Sequence, residues 1–144
     1  MGKKVKVVFD TNVWIAISMR KILKDEFLRV KENLTVYISK DIALETSRVL
    51  QYQRVSEVLR KAGIRERDVL RVIAHNSKMI ETNMKLHVIN EDVEDNKVIE
   101  CALAAGADII VSGDKHLLSL GKFRKTRILA PREFFDSLPN SSAS

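Results

Sequence analysis

Apolar residues along this chain alternate between two spacings. Val5–Phe9 is a short apolar run between polar stretches, the pattern of a central parallel strand covered on both faces. Trp14, Ile15 and Ile17 then follow helical spacing from about Asn12, and Ile22, Leu23, Phe27 and Val30 predict a second helix. Leu34–Ile38 is β-branched and aromatic and reads as a second strand. Ser39 caps a helix over about Lys40 to Gln51, which places Ile42, Ala43, Val49 and Leu50 on one face. Glu45 falls beside Val49 at the border of that face.

Between Gln53 and Ile80 the pattern predicts two more helices, broken at Ala62-Gly63. A third strand is expected at Leu86–Ile89. The acidic stretch Glu91 to Asp95 leads into a helix over Lys97–Ala105, with Val98, Cys101, Ala102 and Ala105 inward and Gly106 as its stop. Asp108–Val111 and Arg127–Leu129 complete a set of five strands. Pro131 opens a last short helix carrying Phe134 and Phe135, and Pro139 to Ser144 reads as a frayed tail. Strands alternating with helices imply a three-layer α/β/α domain over residues 1–138, with right-handed crossovers around a parallel sheet.

Composition narrows the class. The chain has 144 residues, 45% of them hydrophobic and 31% charged, with 5 Gly and 2 Pro, as expected for one ordered domain with a real core. One cysteine, Cys101, excludes an internal disulfide and suggests a reducing compartment. No apolar run approaches the ~20 residues of a membrane span, and no signal peptide is visible, so a cytoplasmic protein is expected. Twenty-five Lys plus Arg against 19 Asp plus Glu give +6, a balance that favours anionic partners such as nucleic acid.

In a parallel sheet all strands exit at one edge. Asp10 follows the first strand, Asp95 opens the helix after the third, Asp114 follows the fourth, and Glu45 lies near the start of the helix after the second. Each acid alone reads as a cap or turn residue. Together they read as a site. Two carboxylates about 4 Å apart repel by ~4 kcal/mol at an effective dielectric near 20, so four in one place call for protons or cations. With no Cys or His at ligand spacing, an all-oxygen site favours Mg2+ or Mn2+ over zinc. Ions of that kind activate water for attack on phosphorus.

The motifs resemble those of PIN-domain ribonucleases, the toxin-type endoribonucleases of prokaryotic toxin–antitoxin pairs. They are Val8-Phe9-Asp10-Thr11-Asn12-Val13, Ile38-Ser39 through Glu45 to Val49-Leu50, Glu94-Asp95-Asn96-Lys97 through Ala102, and Ala107-Asp108 through Ser112-Gly113-Asp114 to Leu118. The resemblance spans residues 5–136. It implies a magnesium- or manganese-dependent endoribonuclease with Asp10, Glu45, Asp95 and Asp114 as metal-binding acids. It implies that Asn12, Asn96 and Ser112 orient those acids. RNA is then the substrate, cut either by the toxin of a toxin–antitoxin pair, with an antitoxin protein as partner, or by an RNA-processing nuclease, and a homodimer is the family expectation. The chain departs from the pattern at His116, where close members carry an acid, and Asp92 and Glu94 are candidates to supply the missing charge.

Lys115, Lys122 and Arg124, just past Asp114, read as contacts to the RNA backbone or as a solvated loop. Two competing functions follow from the same residues. A catalytically weakened RNA- or protein-binding module would explain His116. A small-molecule phosphohydrolase would explain Asp10, but that chemistry wants a second acid two residues on, and Asn12 cannot donate a proton as an acid. His75 is expected to be partly buried and hydrogen-bonded, and Cys101 to be a core thiol.

Overall fold

The computed structural model describes residues 3–83 and 93–139, with the backbone alone for 93–95. In chain order the strands are β1 (Val5–Phe9), β2 (Leu34–Ser39), β3 (Lys78–Ile80), β4 (Ile109–Val111), β5 (Lys122–Phe123) and β6 (Thr126–Leu129). The helices are α1 (Thr11–Met19), α2 (Lys21–Val30), α3 (Lys40–Leu50), α4 (Gln53–Lys61), α5 (Glu66–Asn76), α6 (Val93–Ala105), α7 (Lys115–Leu120) and α8 (Pro131–Asp136). The sheet order is β3-β2-β1-β4-β6-β5, parallel except for the β5–β6 pair. This is the expected three-layer α/β/α fold.

At the centre of the sheet both faces are covered, which is why the end of β1 and the whole of β4 read as apolar runs rather than alternating ones. Val7, Val8, Phe9, Ile110 and Val111 are all fully buried. Phe9 packs edge-on against Trp14 of α1 at 5.1 Å, Phe27 of α2 at 5.9 Å and Phe134 of α8 at 6.1 Å, so three helices converge on one strand residue. The helix α6 lies across β1, β2 and β4, burying Val98, Ile99, Cys101 and Ala102. Gly106 takes φ +61 immediately after it, the left-handed stop that glycine adopts without strain.

Three expectations need correction. The helical pattern does not run to Ile80: α5 ends at Asn76, Ser77 turns extended (φ −138), and its hydroxyl donates to the Ile73 carbonyl at 2.6 Å. Lys78–Ile80 then pairs in parallel with Tyr37–Ser39 of β2. Three half-exposed residues carry no periodicity, so only that pairing makes them a strand. The strand expected at Leu86–Ile89 lies outside the described residues, as does His87. The second correction is at the other edge. Lys122–Phe123 adds an antiparallel strand through a tight turn in which Arg124 sits at φ +53, so the described sheet has six strands and is mixed. His75 is exposed rather than partly buried. Among the described residues no helix is long and apolar enough to cross a membrane.

Candidate active site

The strand order reverses at β1: β2 and β3 lie on one side of it, β4, β6 and β5 on the other. At such a reversal the connections leave in opposite directions and open a crevice beyond the carboxyl ends of the strands, where open α/β sheets bind ligands. Asp10 is the first residue after β1, and Ser112-Gly113-Asp114 is the exit from β4. The ladder continues one residue past each strand. The Asp10 N–H donates to the Val111 carbonyl at 3.2 Å and the Ser112 N–H to the Leu129 carbonyl at 3.0 Å, so the register of Asp10 against Ser112 is set by the sheet itself.

Ser112 joins the two acids. Fully buried, it donates its hydroxyl to Asp10 Oδ2 and accepts from the Asp114 N–H at 3.0 Å. The other Asp10 oxygen, Oδ1, accepts from the Val13 N–H at 3.0 Å and caps α1. Asp114 caps α7, accepting from the His116 N–H at 2.8 Å. Cap and ligand are therefore not exclusive roles. A carboxylate has about four acceptor positions, so these bonds do not exhaust the acceptor capacity of either acid.

Asp10 is 7% exposed. Burial raises its carboxyl pKa above the ordinary value; the Ser112 hydroxyl and the Val13 N–H pull it down, and the charge of Asp114 pushes it up again. Asp10 and Asp114 thus sense each other electrostatically. Glu45 lines the same crevice from α3, with a side chain only 14% exposed and an oxygen 3.8 Å from the Arg48 guanidinium. The cavity has a volume of about 180 Å3 and is lined by Asp10, Asn12, Glu45 and Asp114 together with Val49, Tyr52, Lys97 and Val98.

Of the residues singled out in the sequence, Asp10, Glu45 and Asp114 come together here. Asp95 lies in the first turn of α6, two residues before Lys97, and its side chain falls outside the described residues; so do Asp92 and the side chain of Glu94. Asn12 is exposed and lines the cavity, while the bonds that hold Asp10 come from Ser112 and from backbone N–H groups of α1. Asn96 is buried. Lys115, Lys122 and Arg124 are exposed on the β4 side. None lines the cavity, and Arg124 stacks over the Phe123 ring at 5.5 Å. Among the described residues the cation in the lining is Lys97. The His116 ring Nδ1 lies 3.7 Å from Asp114 Oδ1, beyond hydrogen-bond reach.

Sequence reasoning missed the buried pair beneath the crevice. Thr11 and Thr46 share a hydrogen bond of 2.9 Å between their hydroxyls, and the Thr46 hydroxyl also donates to the Ile42 carbonyl at 2.9 Å. This ties the first turn of α1, and with it Asp10, to the helix that carries Glu45. A signal was present: Thr46 sits midway between Ile42 and Leu50 on the apolar stripe of α3, where a polar residue needs a buried partner.

The donors are all oxygen, and the acid most deeply buried is the one whose charge is disfavoured by its surroundings. Both observations fit a hard divalent cation. Among the described residues, however, no three Asp, Glu, His or Cys side chains are grouped closely enough to hold a metal ion.

Comparison with known proteins supports the same reading of the fold. A family model described as PIN domain matches residues 6–116. Among solved structures, PAE2754 from Pyrobaculum aerophilum superposes with a TM-score of 0.63 at 19% identity, over 92% of this chain and 88% of that one. VapBC2 from Rickettsia felis, bound to a DNA fragment from its promoter, gives 0.58 at 12% identity over 86% and 97%. Mycobacterium tuberculosis VapC20, a toxin that cleaves the sarcin–ricin loop, gives 0.50 at 12% over 84% and 98%. At these identities the likeness concerns the fold. No curated protein matches by sequence.

Proposed function

Because the chain belongs to the PIN-domain family, we propose that it is a Mg2+- or Mn2+-dependent endoribonuclease, with Asp10, Glu45, Asp95 and Asp114 holding the metal. The observation that carries this reading is the Ser112 bridge at the strand-order reversal, which binds the carboxylate after β1 to the backbone that presents Asp114. A bound divalent cation supplies a water activated for attack on phosphorus and positive charge beside the leaving oxygen.

The chain's own residues prepare that chemistry. Ser112 and the α1 N–H groups hold the Asp10 carboxylate in place and favour its charged form, against the larger opposing effect of burial. The Thr11–Thr46 bond holds α1 and α3 together, so Glu45 faces the same space. Lys97 brings a positive charge into the cavity lining, suited to a phosphodiester oxygen. Lys115, Lys122 and Arg124 extend the positive field outward along the β4 side and would steer the RNA backbone rather than touch the reacting phosphate. Asn12 stands two residues after Asp10, where a phosphohydrolase would want a general acid, and its amide cannot serve as one.

The likeness in fold to the VapBC2 complex and to the toxin VapC20 supports a toxin role with an antitoxin protein as partner; a cytoplasmic location and a homodimer belong to the same proposal. The test is cleavage of single-stranded RNA by the purified protein with Mn2+ or Mg2+. Asp114→Asn should lose at least ~100-fold in rate while keeping the native fold. Cleavage by Asp114→Asn at the wild-type rate would overturn the assignment. Mn2+ titration separates a nuclease from a weakened binding module, which would retain RNA binding without taking up the ion.

A further inference from the structure

Tyr52 stands where local structure would choose another residue. It is the N-cap of α4 in extended conformation (φ −63, ψ 132) and its side chain makes no capping bond, although Ser, Thr, Asp and Asn are the residues that stabilise such a position. It is 51% exposed, a large aromatic surface left in water. Its backbone is nevertheless firmly placed: the Tyr52 N–H donates to the Val49 carbonyl at 3.0 Å, and its own carbonyl accepts from the Ser56 N–H at 2.8 Å. Those bonds hold the residue at the end of α3, and its side chain lines the same cavity as Asp10, Glu45 and Asp114. Val49 and Val98 extend the apolar side of that wall. The crevice therefore combines acidic side chains with an aromatic and aliphatic surface.

An aromatic ring held at the rim of a phosphodiester-cleaving site has one common use, stacking on an unpaired nucleobase. Resting on the ribonuclease reading, we propose that Tyr52 is the base-stacking residue of this site: it holds the nucleobase beside the scissile phosphate and restricts the substrate to RNA whose bases are unstacked. The ring face makes the contact and the hydroxyl is not required, so Phe should replace Tyr. Because stacking tolerates any base, Tyr52 selects single-stranded over duplex RNA without reading sequence.

The experiment compares kcat/KM for a single-stranded oligoribonucleotide and for versions in which an abasic residue is moved one position at a time past the cleavage site. With the wild type, one abasic position should lower kcat/KM about 5- to 150-fold, the equivalent of ~1–3 kcal/mol of stacking. Tyr52→Phe should behave as the wild type. Tyr52→Ala should lose the same factor on intact RNA and show no further loss with the abasic strand. Tyr52→Leu, which keeps the apolar bulk without a ring, should match Ala and guards against a folding defect in it. Wild-type kcat/KM in Ala and Leu, or an abasic penalty that persists in them, overturns the proposal and leaves the nuclease reading intact. Absence of RNA cleavage by the wild type with either metal overturns the nuclease reading and this one with it.

Discussion

Replacing Ser112 by Ala tests the arrangement at its narrowest point. The hydroxyl is fully buried and makes two bonds, donating to Asp10 Oδ2 and accepting from the Asp114 N–H. Losing a bond to a charged group costs about 1.5–3 kcal/mol, and leaving a part-buried N–H without an acceptor adds roughly 1 kcal/mol. The sum, about 3 kcal/mol, is a large share of the ~5–15 kcal/mol that holds such domains together. For a chain of this size it corresponds to a fall in Tm of roughly 10 °C. Urea unfolding in EDTA, followed by the fluorescence of Trp14, the chain's only tryptophan, measures it. The deficit also has a pH signature. The Ser112 bond favours ionised Asp10, so its loss weighs most where that carboxylate is charged and shrinks as the pH falls through the Asp10 pKa. In a cycle with Asp10→Asn the two sites should couple by more than ~1 kcal/mol. A deficit below ~0.5 kcal/mol, or one that does not change with pH, would refute the bridge.

Asp10→Asn should unfold at higher temperature than the wild type in EDTA at neutral pH. Burial raises the Asp10 pKa, so the folded state binds its proton more tightly and is weakened as pH rises from the ordinary carboxylate range through the folded pKa; Asn removes that penalty and should abolish cleavage. Cys101 is buried beside Ser39, and burial pushes its thiol up to about 12. The native state therefore keeps a proton that the unfolded chain loses above about pH 8.5, and stability should fall by up to ~1.4 kcal/mol per pH unit in that alkaline range. Cys101→Ala should flatten the slope, and a thiol reagent should label the wild type only after unfolding. Phe134→Ala, which removes a fully buried ring that packs on Phe9 and Phe135, should cost about 3–5 kcal/mol in urea unfolding. Mn2+ well above its Kd should raise the wild-type Tm and leave Asp114→Asn unmoved; at 100 times Kd the gain is about 2.7 kcal/mol.

Much of this architecture is legible in the residues because it is set locally. Val5–Phe9, the Ser39 cap, whose hydroxyl accepts from the Ile42 N–H at 3.1 Å, the Gly106 stop and Pro131 at the start of α8 each depend on a few neighbouring positions. Strand order does not. Nothing near Asp10 says that β4 rather than β3 lies beside β1, yet that adjacency puts Ser112 within reach of Asp10. The short strands β3 and β5 were illegible for a related reason, since two or three exposed residues become a strand only through a partner. Asp10 and Asp114 announced themselves by following strands. Lys97 and Tyr52 did not, because one sits inside a helical pattern and the other looks like a polar-face aromatic between helices; only the folded chain brings them to the same cavity.

The central claim is that acids from four separate stretches of chain make one cation site at the carboxyl edge of the sheet. Diffraction from a crystal soaked in Mn2+, with the anomalous signal of the metal recorded, tests it most directly. The account predicts an anomalous peak in the crevice, with carboxylate oxygens of Asp10 and Asp114 within about 2.0–2.6 Å, the range of hard-cation–oxygen bonds, and with Asp95 turned into the same site. A crevice without metal, or Mn2+ bound away from Asp10 and Asp114, would contradict it.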